Sequence, residues 1–182
     1  MENNHDHRYG DGHRTMLTGM FRDRDSAESA YHELRERGYS DREINVMMSD
    51  ETRKKYFADD ENSELGNKAA EGAGKGSAIG GTIGAIAGVI AAIGTSVVIP
   101  GLGLIVAGPL AAGLAGAGAG GITGGIIGAL IGAGIPEERA KVYETGIREG
   151  NVVMGVTPRS DDDADYLERR WKAHNGIDIY RK

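Results

Sequence analysis

Residues 76–136 read GSAIG GTIGAIAGVI AAIGTSVVIP GLGLIVAGPL AAGLAGAGAG GITGGIIGAL IGAGIP, and the reading of that stretch decides the architecture of the chain. Between Lys75 and Glu137 no residue carries a charged side chain. Gly72, Gly76, Gly80, Gly84 and Gly88 recur at intervals of four, with Ala92 continuing the series. A second series runs through Gly108, Ala112, Gly116, Gly120, Gly124, Gly128 and Gly132. In a helix of about 3.6 residues per turn, every fourth residue follows one slowly drifting ridge, so each series would form a groove free of side chains. The spacing predicts a glycine-zipper helical hairpin over 72–135, its joint at Pro100, Gly101 and Gly103.

Glycine disfavours a helix by roughly 0.5–1 kcal/mol per residue relative to alanine, so about a dozen of them require compensation from close backbone packing or from a bilayer. Each arm is long enough for a span of roughly 20 residues. Ile79, Ile83, Ile86, Val89, Ile90 and Ile93 would face outward from the first arm, and Ile122, Ile126, Ile127, Leu130 and Ile131 from the second. Lys68 and Lys75 flank the entrance while Arg139 and Lys141 flank the exit, which places both ends on a cytoplasmic side. No Trp or Tyr belt marks either interface, and Gly and Ala contribute little to insertion. A soluble homo-oligomer whose hairpins bury one another therefore stands as the alternative.

Working outward, residues 15–21 carry Met16, Leu17, Met20 and Phe21 and read as a short strand. Asp25 and Glu28 resemble a capping box, and Ala27, Ala30, Tyr31 and Leu34 give a helical apolar face that stops at Gly38. Ile44, Val46 and Met48 alternate with Asn45 and Met47 as in a half-buried strand. Residues 51–71 read as a charged linker or short irregular helix with Tyr56 and Phe57 as anchors. Pro136, Glu137 and Glu138 open a connecting helix over 136–150 that bears Ala140, Tyr143 and Ile147. Val152, Met154 and Val156 form a strand, Asp161–Asp163 start a helix with Ala164, Leu167 and Trp171, and 177–180 close the chain as a strand after Gly176. With the hairpin and its trailing helix removed, 15–50 and 151–182 are two β-α-β halves. The fold class expected is α+β, a ferredoxin-like split sandwich with two helices on one face of a four-stranded sheet, carrying a long inserted Gly/Ala-rich helical hairpin.

Composition narrows the function. A net charge of −6 with Arg and Lys interleaved among Asp and Glu excludes the basic surface that nucleic acid requires. The absence of Cys removes disulfides, thiolate metal sites and cysteine nucleophiles. Residues 1–14 have no apolar segment, so a cleaved signal peptide is not expected; the tail reads as disordered, with His5, His7 and His13 too loosely placed for a metal site. Gly74, Lys75, Gly76 and Ser77 miss the order of a phosphate loop, and 116–125 lacks the strand that a dinucleotide fingerprint needs. Asp161, Asp162 and Asp163 read as cap and dipole partners rather than cation ligands. His32 and His174 have no nucleophile to serve. No catalytic residue, cofactor, metal or small-molecule ligand is expected.

Thr18–Asp50, with Arg37, Gly38 and Tyr39 ending a charged helix before Ile44–Met48, resembles the amino-terminal half of a family of small bacterial general-stress proteins. The joint Val98–Gly103, the run Ala107–Ala112 and the exit Gly134–Glu138 with Tyr143 resemble the same group. The similarity covers most of 15–157. The family, some of whose members are called heat-induced or low-temperature-induced, implies a stress role without an established catalytic activity. The function expected is a non-enzymatic stress-associated protein, anchored in or against membrane lipid and homo-oligomeric through its hairpin, with the folded domain in the cytoplasm. A soluble assembly and a ligand-sensing module are the alternatives.

Overall fold

A computed structural model describes residues 16–57, 86, 97–99, 103–111, 125–132 and 134–181. The protein is α+β. Its strands are β1 (Leu17–Phe21), β2 (Ile44–Ser49), β3 (Val97–Ile99), β4 (Leu104–Ala107), β5 (Val152–Val156) and β6 (Ile177–Arg181). Its helices are α1 (Arg24–Glu36), α2 (Asp50–Phe57), α3 (Gly125–Gly132), α4 (Glu137–Arg148) and α5 (Asp161–Ala173). The strands form one sheet in the order β3-β4-β2-β5-β1-β6, and every described pairing is antiparallel.

Both faces of the sheet are covered. On one, Leu17, Phe21, Ile44, Val46, Met48, Ile105, Ala107, Val152, Met154 and Val156 form a core with Ala27, Ala30, Tyr31 and Leu34 of α1 and Leu167 and Trp171 of α5. On the other, Met20, Met47, Leu104, Val106 and Val153 meet Ile126 and Leu130 of α3 and Ala140, Tyr143 and Ile147 of α4. This corrects two expectations. The sheet has six strands rather than four, and the helix read as a connector is a layer of the domain. The strands explain why: VVMGV in β5 and LIVA in β4 are buried at every position, the continuous apolar run of a strand enclosed on both sides.

The helices start and stop for local reasons. Asp23, rather than Asp25, caps α1: its Oδ1 accepts from Ser26 N at 2.8 Å. Ser160 caps α5, accepting from Asp163 N at 3.1 Å. Gly38 and Gly150 take the left-handed conformation just past α1 and α4, at φ +86 and +96. After α5 that conformation falls to Asn175 at φ 59. Gly176 is required instead by closeness, since a Cβ there would lie 2.7 Å from the Trp171 carbonyl oxygen.

Of residues 51–71, read as a charged linker or short irregular helix, the first seven belong to α2, with Thr52 and Phe57 buried. Residues 1–14, and therefore His5, His7 and His13, lie outside the described residues, as do 58–71.

Candidate functional site

The feature that sequence singled out is the uncharged stretch between Lys75 and Glu137, and its midpoint is where expectation and structure part. Val97–Ile99 and Leu104–Ala107 are not parts of a helical hairpin but two antiparallel strands. Val97, Val98 and Ile99 pair with Val106, Ile105 and Leu104, and β4 is zipped to β2 from Val46↔Ala107 to Ser49↔Leu104. Gly103, exposed and at φ +59, serves the tight turn, and its carbonyl accepts from Asp50 N at 2.7 Å. An apolar joint is thus explained without a membrane: Leu104 and Val106 enter one core while Ile105 and Ala107 enter the other.

Two groups fasten the end of β4. Asn45, 4% exposed, accepts from Leu110 N at 2.8 Å through Oδ1 and donates to the Gly155 carbonyl at 3.2 Å through Nδ2. Gly108 has φ +94, and a Cβ on it would run into the Ile44 carbonyl oxygen. Its glycine serves close approach to β2 and not, as the four-residue series implied, the packing of a helix.

Of the other residues expected to pack helices, Gly128 and Gly132 lie on α3, half-buried and exposed. Gly72, Gly76, Gly80, Gly84, Gly88, Gly116, Gly120 and Gly124, together with Pro100 and Gly101 of the joint, lie outside the described residues. The described parts of the two arms meet opposite faces of the sheet. Ile86 is fully buried in the core of α1 and α5, its backbone N–H 3.4 Å from Glu28 Oε2. Ile126 and Leu130 are buried in the core of α4. The large apolar side chains left exposed among the described residues are Ile131 and Val142, on α3 and α4. No helix among the described residues is long and apolar enough to cross a membrane.

The titratable groups with displaced pKa values find structural partners. Glu33, 6% exposed, accepts from Arg170, from Tyr166 at 3.2 Å, and lies 3.3 Å from His174 Nε2; the Arg170 bond foremost holds its carboxyl down at about 2. Asp163 is buried, which alone would raise its pKa, but bonds from Tyr39 and Arg37 and from Arg159 N lower it. The guanidinium groups of Arg37 and Arg159 stack over Tyr166 and Tyr39, each 4.3 Å from the ring centroid. These two clusters tie α1 and its trailing loop to α5. Asp163 therefore bonds cations and a phenol of its own chain, and no group of three metal-ligating side chains occurs among the described residues. His32 pairs with Glu36 on the exposed face of α1 at 3.1 Å. Trp171 is fully buried, edge-on to Phe21 at 5.7 Å.

Compared with protein-family models, with curated proteins and with solved structures, the chain matches none.

Proposed function

We propose that the protein is a non-enzymatic, self-associating protein of the general-stress type, in which the Gly/Ala arms on either side of the β3–β4 hairpin form the association surface. The observation that carries this reading is the run of about 60 uncharged residues, with glycine every fourth position, fastened at its middle to a folded domain. Close approach of glycine faces, between copies or against lipid, is the interaction such a surface supplies.

A hairpin that crosses a bilayer needs its joint on the far side. Here Val97–Ile99 and Leu104–Ala107 belong to the sheet, Ile86 lies in one core, and Ile126 and Leu130 lie in the other. Contact between copies is thereby favoured over a spanning anchor, and association with lipid takes the form of arms lying against the membrane. Ile131 and Val142, exposed on α3 and α4, suit either contact.

The domain itself we read as a ferredoxin-like split sandwich interrupted by an insertion. In support, β1-α1-β2 and β5-α5-β6 are two β-α-β units whose strands interleave in the order β2-β5-β1-β6. The inserted segment adds β4 and β3 beyond β2 and lays α3 and α4 on the second face.

The test is fractionation of the expressed full chain with an alkaline carbonate wash, followed by sizing of each fraction. Recovery as a multimer, washed free of membrane, supports association between copies. Retention that only detergent reverses would overturn the preference for contact between copies over a spanning anchor, and a monodisperse monomer without lipid would overturn the proposed function.

A further inference from the structure

Beside the last turn of α4, the second face of the sheet holds a groove of about 290 Å³. Its floor is Asn151, 7% exposed. The Asn151 amide nitrogen has only the Met20 thioether as partner, at 3.5 Å, and its side-chain oxygen accepts from no group among the described residues. A thioether is a weak acceptor and the Asn151 oxygen is open to solvent, so the amide of a nearly buried residue keeps hydrogen-bonding capacity for a ligand in the groove. Gly146 creates the room, since a Cβ there would run into the Met20 sulfur.

Two charges of opposite sign stand over this floor. Arg22 follows directly on the Phe21↔Val152 pair that ends the ladder, and it lines the groove together with Asn151. Glu149 caps the carboxyl end of α4, where the helix dipole adds to its negative charge. Both side chains are exposed, and neither makes an ion pair or hydrogen bond with another described side chain or with the other. Asp178, at the same rim, is already engaged by Arg139 at 3.8 Å. Met20, Val142 and Ile177 give the groove its apolar wall.

We propose that this groove binds an aliphatic α-amino acid. The carboxylate meets the Arg22 guanidinium and the Asn151 amide, the ammonium meets Glu149 at the negative end of α4, and the side chain lies on Met20, Val142 and Ile177. A volume near 300 Å³ is at the small end for ligand sites and matches a ligand of this size. A carboxylic acid or an amine alone would satisfy one charge and leave the other unpaired.

The experiment is thermal denaturation of the full chain with L-leucine, isovalerate and isoamylamine as probes. L-Leucine is expected to raise Tm saturably by a few degrees at about 10 mM, each half-ligand binding roughly tenfold or more weakly. Arg22→Ala and Glu149→Gln should each weaken L-leucine about tenfold while leaving the Tm of the free protein unchanged, because both groups are exposed and unpaired. No shift with L-leucine, a response to isovalerate equal to that to L-leucine, or unaltered affinity in both variants would overturn the assignment. None of these outcomes depends on whether the arms self-associate.

Discussion

The Thr18 and Tyr143 hydroxyls lie 2.7 Å apart in the second core, joining the interior strand β1 to α4 across 125 residues of chain. Tyr143 donates to the Asp178 carbonyl at 2.9 Å, and the Thr18 hydroxyl lies 3.4 Å from the Tyr180 carbonyl, so both hydroxyls also reach β6. One phenol thus holds α4 to both β1 and β6. Tyr143→Phe keeps the ring and removes both bonds, and should cost about 1–3 kcal/mol in urea denaturation. Burial pushes the phenol up to about 12 from its usual 10.0. A raised folded pKa favours the neutral form, so this stabilisation is complete below pH 10 and fades as pH rises from about 10 to 12. Burial also raises Tyr31 and Tyr39, so the wild-type chain should show at least three fewer tyrosine ionisations near pH 10 than it has tyrosines. If the Tyr143→Phe difference spectrum titrates at 10, Tyr143 is not buried as described.

Glu33 makes the opposite pH argument on the other face. Its folded pKa of about 2 lies below the usual 4.5, chiefly through the Arg170 bond, so it contributes stability above the unfolded value and loses it as pH falls from about 4.5 to 2. Arg170 is partly exposed, with 43% of its side chain open to solvent, which screens the pair and holds the contribution to about 1–2 kcal/mol. Glu33→Gln should lower stability by that amount at pH 7 and by almost nothing near pH 2. A deficit unchanged across that range would mean that the loss comes from packing rather than from charge.

Gly108→Ala separates the β-hairpin from a helical hairpin. In a glycine-lined helix, one alanine adds a methyl group to a groove and changes little. At φ +94 with the Ile44 carbonyl in the way, the same methyl must displace backbone, at a cost of more than about 2 kcal/mol. The expected result is loss of hydrogen-exchange protection at Leu104–Ala107 while β1 and β5 stay protected. Gly103→Ala, also left-handed but with nothing within 4 Å of a Cβ, is the milder control at about 1–2 kcal/mol.

Much of this architecture is legible residue by residue. Ala27, Ala30, Tyr31 and Leu34 fall on the buried face of α1, Gly38 and Gly150 end their helices in the left-handed conformation, and Trp171 is core. The misses share a cause. Period-two alternation identifies a strand only when one face meets water, and Leu104–Ala107 are buried on both, so the run is indistinguishable from apolar helix. The same missing alternation in Val152–Val156 was the available sign that a second helical layer covers the sheet. Asn45, read as the solvent side of β2, is instead buried and holds the turn after β4, a role set by partners 65 and 110 residues away. The groove escaped for a similar reason: Arg22, Glu149 and Asn151 belong to no local motif, and only the β1–β5 ladder brings them together.

The glycine series remains the part of the chain on which the proposed association stands. Gly80, Gly84 and Gly124 changed together to Leu would fill both grooves with branched side chains and prevent backbones from approaching. The folded domain offers an internal control, because apart from Ile86 and Ala111 its two cores are built from residues of 16–57 and 134–181 and from β4 and α3. Sizing of the triple variant should give a smaller species than the wild type, with the high-pH titration of Tyr143 unaltered. An unchanged size with Tyr143 still buried would remove the glycine faces from the association, leaving exposed Ile131 and Val142 as the surface to change next.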